Sequence, residues 1–411
     1  MRVVLLSPLP PERTGIADYA AHWMRAARGA GVEVICPLKG QPLPASLNEA
    51  RAWVAERQWT GVDAVHAELG GGRQGEFFLM SALAELPQGP ALSATVHDPE
   101  RIVWRPVSAI WRAIDRLPLL PAWVSKVAAV LCDPHTLWRE RQLVRRLDGV
   151  VTLTRTGGEA LARRMRRPAE AVTVIPHGVL PMPFVPLPPT PPIKLLYFGY
   201  IYQGKGIEDL VDAVGELRRR HPEWQDQISL TIAGGTAPDI AFGGTRSYLD
   251  ELRDRVARQG LTEVVDWELD VDEAFIAGLI QRHHIMVLPY RESRKLSLLG
   301  QMRGTSGALA WAIACGRAVV TSDARAFAEE ISQGNGLSYP QGDVAALTQA
   351  LHTLVAEPGR LQACTAAATQ VAEARLWSRT GEAFAAYFQR LVQARASRPA
   401  PARATAPQRT A

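Results

Sequence analysis

YFGYIYQGKGIEDLVDAVGEL, Tyr197 to Leu217, reads as a strand ending at Gly199, a glycine-flanked loop, and an amphipathic helix from Ile207 to Arg220. Lys205-Gly206 stands just before that helix. An ammonium among glycines at a helix N-terminus suits a phosphate, because a point charge and free N–H groups converge there. The alternative is a solvated lysine in an ordinary turn. The Walker pattern is absent, so the loop is not a P-loop.

The same strand–loop–helix unit recurs on both sides of this stretch. Ahead of it, MRVVLLSPLP, VEVICP (32–37), DAVHAEL (63–69), ALSATVHD (91–98), GVVTLT (149–154) and AVTVIPHGV (171–179) read as strands, with a first helix from Ile16 to Arg28. After it come QISLTIAGG (227–235), a helix around Tyr248 to Gln259, VVDWEL (264–269), HHIMVLPY (283–290) and AVVTSD (318–323). Strands alternating with helices predict parallel, doubly wound sheets. Between the two series lies VLPMPFVPLPPTPPI (179–193), whose seven prolines deny helix and central strand alike and predict a stiff linker. The pattern therefore divides into residues 1–180, a linker over 181–193, a second domain over 194–378, a helix over 379–394 and a tail over 395–411. That helix, read between Thr380 and Ala394, places Phe384, Tyr387, Phe388 and Leu391 on one face. The acid-free Ala/Pro/Arg tail predicts disorder.

Composition bounds the function. The chain has 411 residues, 47% hydrophobic and 21% charged, enough for two ordinary domains. Four scattered cysteines give neither a disulfide framework nor a zinc site and point to a reducing, cytoplasmic setting. The opening apolar run is too short for a signal core, and no window reaches spanning length. Net charge is +5, which favours anionic partners. Nucleic acid is not expected, because aromatics are not interleaved with the basic charge on any recognisable module.

Ligands of such sheets bind beyond the carboxyl ends of the strands, and the candidate site residues lie there. Gly15 follows Thr14 at a helix start and allows close approach of a phosphate or sugar; the alternative is an ordinary glycine turn. The pattern is not the G-x-G-x-x-G fingerprint, which counts against a nicotinamide enzyme. His97 in TVHD ends a central strand; it either meets a sugar hydroxyl or is a satisfied buried histidine. Gly199, Tyr200 and Lys205 follow one strand, and Gly234 in TIAGGT ends another. GTSGALAWAIACGRAVVTSD, Gly304 to Asp323, opens on a small-residue turn whose Thr305, Ser306 and Gly307 offer N–H groups to an anion.

In order and spacing these motifs resemble a GT-B glycosyltransferase, most similar to glycosyltransferase family 4, the group 1 transferases, over roughly Arg2 to Leu391. PLPPERTGIADY resembles the family's first glycine loop, and TVHD its strand-end histidine at the transferred sugar. VIPHGV, FGYIYQGKGIEDLVDAV, IAGG, ACGRAVVTSD and NGLSYPQGD resemble successive family segments, and LWSRTGEAFAAYFQRL the helix returning to the first domain. The resemblance implies two Rossmann-like domains across a cleft and transfer of a hexosyl group, mannosyl among the options, from a nucleotide-sugar to a saccharide or lipid-linked acceptor. It implies retention and no essential metal or cofactor beyond the co-substrate.

The chain departs from that pattern in three places. Tyr200 replaces an arginine. Arg303 and Trp311 stand where the family has two glutamates separated by seven residues. Glu292 in LPYRES is the candidate to supply an acid near the sugar. A non-catalytic nucleotide-sugar binder, an inverting transfer and an epimerase remain open. WRPVSAIWRAIDRLPLLPAWVSKVAAVL (104–131), with three tryptophans among basic residues, suits either an anionic membrane surface or packed helices of the first domain.

Overall fold

The computed structural model describes the chain apart from residues 13, 104–105, 109–121, 236–247, 293–299, 302 and 398–411, and gives backbone alone at 122, 123, 125, 126 and 129. The expected disordered tail, and most of the tryptophan-rich stretch after residue 103, lie outside the described residues.

Two six-stranded, wholly parallel sheets are present among the described residues. The first contains β1 (Arg2–Leu6), β2 (Glu33–Ile35), β3 (Ala64–Leu69), β4 (Ala91–Val96), β5 (Gly149–Thr152) and β6 (Val172–Val174), in the order β2-β1-β3-β4-β5-β6. The second contains β7 (Ile193–Phe198), β8 (Ile228–Gly234), β9 (Val265–Leu269), β10 (Ile285–Leu288), β11 (Ala318–Ser322) and β12 (Gly336–Tyr339), in the order β12-β11-β10-β7-β8-β9. Short, near-continuous apolar runs make these strands, because a parallel sheet is covered on both faces. β3, β4 and β11 are buried at every position. Strand order reverses between β1 and β3 in one sheet and between β7 and β10 in the other, and the loops past those strand ends open a crevice for a ligand. These are the parallel, doubly wound sheets that the alternating pattern predicts and the two Rossmann-like domains that the resemblance implies.

Helix starts are set locally. Thr14 accepts the Ala17 N–H at 3.1 Å and starts the helix Gly15–Gly29; Thr154 accepts the Gly157 N–H at 3.0 Å and starts Arg155–Met165. The final helix runs from Trp377 to Ala396, longer than its apolar stripe suggests at both ends. It packs against Gly15–Gly29 of the first domain, so closely that a β-carbon on Gly381 would stand 2.4 Å from the Ala26 carbonyl oxygen. Phe384 and Phe388 are fully buried there beside Trp23. Residues 180–192 carry no helix or strand, and Val179 bridges to Leu376 ahead of the crossing helix.

Candidate functional site

The loop after β7 and the loop after β10 meet at the reversal point of the second sheet. A β-carbon on Gly206 would stand 1.9 Å from the Pro289 carbonyl oxygen, and Gly206 adopts φ of 65°, so glycine is required on two grounds. That close approach folds Lys205 inward. Its side chain is buried, with Nζ 3.6 Å from the Tyr290 ring centroid and 5.1 Å from that of Tyr202. No carboxylate pairs with it among the described residues. Burial, then the Arg325 guanidinium, push the Lys205 ammonium down to about 7.

Tyr290 organises the rest. Its hydroxyl and the Ser306 hydroxyl lie 3.1 Å apart, and its ring also stands 5.3 Å from the Arg325 guanidinium carbon. Arg325 donates from Nη1 to the Thr305 carbonyl at 2.9 Å, and from its backbone N–H to Glu292 Oε1 at 3.1 Å. Two cations therefore flank one aromatic ring, with the turn 305–307 beside them. The helix Gly307–Ala314 begins there with Ser306 at its cap position, yet no side chain caps it, and the helix Ile207–Arg220 is likewise uncapped at Gly206. Such helix ends carry free N–H groups and partial positive charge. The arrangement can hold a diphosphate and stabilise it as it leaves.

The sequence-predicted residues divide. Lys205, Ser306, Thr305, Gly307 and Glu292 come together. The Thr305 hydroxyl donates to the buried Glu330. Glu292 lies in the loop beyond β10 rather than ending the strand, and burial raises its carboxyl. Gly199 and Gly234 have an internal reason to be glycine: a β-carbon on Gly234 would stand 1.9 Å from the Gly199 carbonyl oxygen, and both have positive φ. Tyr200 is 37% exposed beside Gly235. Gly15 faces open space, with no atom within 4 Å of the point where a β-carbon would stand. Arg325 escapes sequence reasoning: it holds φ of 57° without being glycine, and no local pattern announces it.

Across the cleft, His97 follows β4. Its imidazole turns Nε2 to the buried Glu68, at 2.8 Å, and keeps 13% side-chain exposure. Its backbone carbonyl is what touches the second domain, at Gly304, where a β-carbon would stand 2.1 Å away. Beside it Glu100 accepts the Gln301 N–H at 2.8 Å and pairs with Arg303 at 3.6 Å. Arg303, standing where the resemblance implies an acid, thus meets an acid from the first domain. Glu329 of the second domain accepts the N–H groups of Arg155 and Thr156, each at 2.7 Å, at the N-terminus of a first-domain helix. These contacts bring His97 and the 305–307 turn to one cleft.

Residues 192–357 match the family model described as glycosyl transferases group 1. That stretch is similar to the group 1 glycosyl transferases. Similar proteins include a D-inositol 3-phosphate glycosyltransferase of Kineococcus radiotolerans, 27% identical over 63% of this chain and 60% of that one. A glycogen synthase of Mycobacterium tuberculosis is 27% identical over 67% of this chain and 63% of that one. The chain thus spans about three fifths of the length of these relatives, 60% and 63%. Among solved structures, sucrose-phosphate synthase from Thermosynechococcus elongatus superposes with a TM-score of 0.70 at 18% identity, over 96% of this chain and 100% of that one. Anabaena HepE in complex with UDP-glucose gives 0.64 at 14% identity, over 97% and 100%. These likenesses extend the GT-B fold to almost the whole chain.

Proposed function

We propose that the protein transfers a hexosyl group from a nucleotide-sugar to a saccharide or lipid-linked saccharide, with retention, in the making of a polysaccharide or glycoconjugate. One observation carries this reading. Lys205 and Arg325 flank Tyr290 at the reversal point of the second sheet, Lys205 has no carboxylate partner among the described residues, and two uncapped helix N-termini adjoin. Buried cationic charge of this kind is costly unless an anion joins it, and the diphosphate of a nucleotide-sugar matches it in charge and extent. The relatives named as glycosyltransferase and glycogen synthase support the reaction class, and the neighbour holding UDP-glucose supports a uridine donor.

In the proposed reaction the donor diphosphate lies on Lys205, Arg325 and the N–H groups at 306–307. Charge that develops on the leaving nucleotide is met by groups already in place. His97 and Glu292 face the sugar from opposite domains, and the first domain supplies the acceptor. A thermal-shift screen against UDP-, GDP- and ADP-sugars tests the reading: one class should stabilise the protein and release nucleotide on turnover. No stabilisation by any of them at millimolar concentration would remove the basis for it.

The acceptor side is proposed to rest on an anionic membrane surface. No described helix is long and apolar enough to cross a membrane. The helix Ala122–Arg146 exposes Val127, Val130, Leu131 and Trp138, at i, i+3, i+4 and i+11, with Leu131 75% exposed. An apolar stripe on a basic chain favours such a surface.

A further inference from the structure

His66 and Glu68 stand two apart on β3, and Ser93, Thr95 and His97 continue at the same spacing along β4 and just past it. The parallel register sets His66 opposite Ser93 and Glu68 opposite Thr95, so all five side chains project to one face. The helices Gly15–Gly29 and Trp377–Ala396 cover that face. Trp23 stacks on His66 at 5.3 Å, while Phe384 and Phe388 meet it edge-on at 5.6 and 5.2 Å.

A carboxylate in such an enclosure must be met by donors. Glu68 is fully buried, with Oε2 2.8 Å from His97 Nε2 and Oε1 3.5 Å from His66 Nε2. Burial alone would raise its carboxyl; the close approach of His66 and the hydrogen bond from His97 outweigh burial and hold it at about 2. An ionised carboxylate only accepts. The shared hydrogen therefore sits on Nε2 of His97, so that whenever the ring is neutral its Nδ1 is a lone-pair acceptor. No described residue bonds that Nδ1. Tyr19, edge-on at 4.8 Å and 83°, restricts rotation of the ring.

We infer that Glu68 is a positioning residue that fixes His97 as its Nε2–H tautomer and presents Nδ1 as the hydrogen-bond acceptor for a substrate hydroxyl. His97 then orients the sugar by accepting a hydrogen bond rather than donating one. That catalytic consequence rests on the glycosyl-transfer reading; the tautomer does not.

The test uses the full chain with ¹⁵N-labelled histidine rings, a His97→Asn variant to identify the His97 signals, and Glu68→Met, which keeps length and removes the acceptor. Wild type is expected to show neutral His97 as the Nε2–H tautomer, and Glu68→Met to lose that preference. A Nδ1–H tautomer in wild type, or the same tautomer in both chains, overturns the inference. Should Glu68→Met fail to fold, the wild-type tautomer alone decides it. In kinetics, Glu68→Met is expected to lower kcat roughly tenfold or more while the donor KM moves less than about threefold. Unchanged kcat in a variant that has lost the tautomer overturns the orienting role. If wild type transfers no sugar yet the tautomer responds to Glu68, the reaction assignment fails and the positioning stands.

Discussion

The carbonyl oxygen of His97 lies 2.1 Å from the point where a β-carbon on Gly304 would stand, so the two domains touch at a place only glycine fits. Gly304→Ala must push the domains apart there. Donor binding, proposed for the second domain, should survive, while kcat should fall by about 10²-fold, the scale of an ångström-sized misplacement. Steady-state kinetics beside donor titration checks it; equal losses in affinity and turnover would sink the idea.

Lys205 links binding to protons. Its folded pKa of about 7 lies below the ordinary lysine value of 10.5. Above about pH 7 the free protein holds it neutral, and a bound diphosphate favours the ammonium. Binding of a UDP-sugar at pH 8 should therefore take up a proton, and binding at pH 6 should not. Calorimetry in buffers of different ionisation enthalpy reads this directly. Lys205→Met should abolish the buffer dependence and weaken donor binding roughly tenfold or more.

Glu140, on the helix Ala122–Arg146, is 3% exposed and accepts the Val103 N–H at 2.8 Å. Burial pushes its carboxyl from 4.5 up to about 8. A raised carboxyl binds its proton more tightly folded than unfolded, so its contribution is full below about pH 4.5 and is lost as pH rises through about 8. Glu140→Gln keeps an acceptor for Val103 and removes the titration. Relative to wild type, its Tm should rise progressively between pH 5 and pH 9 and level off above that. A constant offset across that range in scanning fluorimetry would refute the assignment.

Membrane docking makes a separate prediction. Leu131 and Trp138, 75% and 51% exposed, would each contribute about 1.5–3 kcal/mol on burial in an interface. The double variant Leu131→Glu, Trp138→Glu should lose at least about tenfold in co-sedimentation with anionic vesicles, with donor binding unchanged. Wild-type chain that stays in the supernatant at low salt counts against docking altogether.

The fold was legible because parallel strands are short apolar runs, and glycines mark their ends. Lys205 was legible for the same reason: Gly204 and Gly206 bracket it at a helix start. Arg325 was not, since it reaches Tyr290 only through tertiary packing after β11. Gly304 stood in view as part of a small-residue turn, yet its partner is a carbonyl more than two hundred residues earlier. Glu68 carries a signal that is easily passed over. Polar residues at every second position, in HAE (66–68) and SATVH (93–97) within otherwise apolar strands, place a polar row on a buried face, and such a row must be mutually satisfied.

The grip of Glu329 on the first domain has one-sided genetics. Its partners are the backbone N–H groups of Arg155 and Thr156, which almost any side chain at those positions would leave in place. Sequence drift on the first domain cannot erase the contact, proline apart, whereas a single change at position 329 can. At this contact a side chain on one face meets peptide dipoles on the other, so the dipole side is free to diversify without renegotiating how the two domains close there.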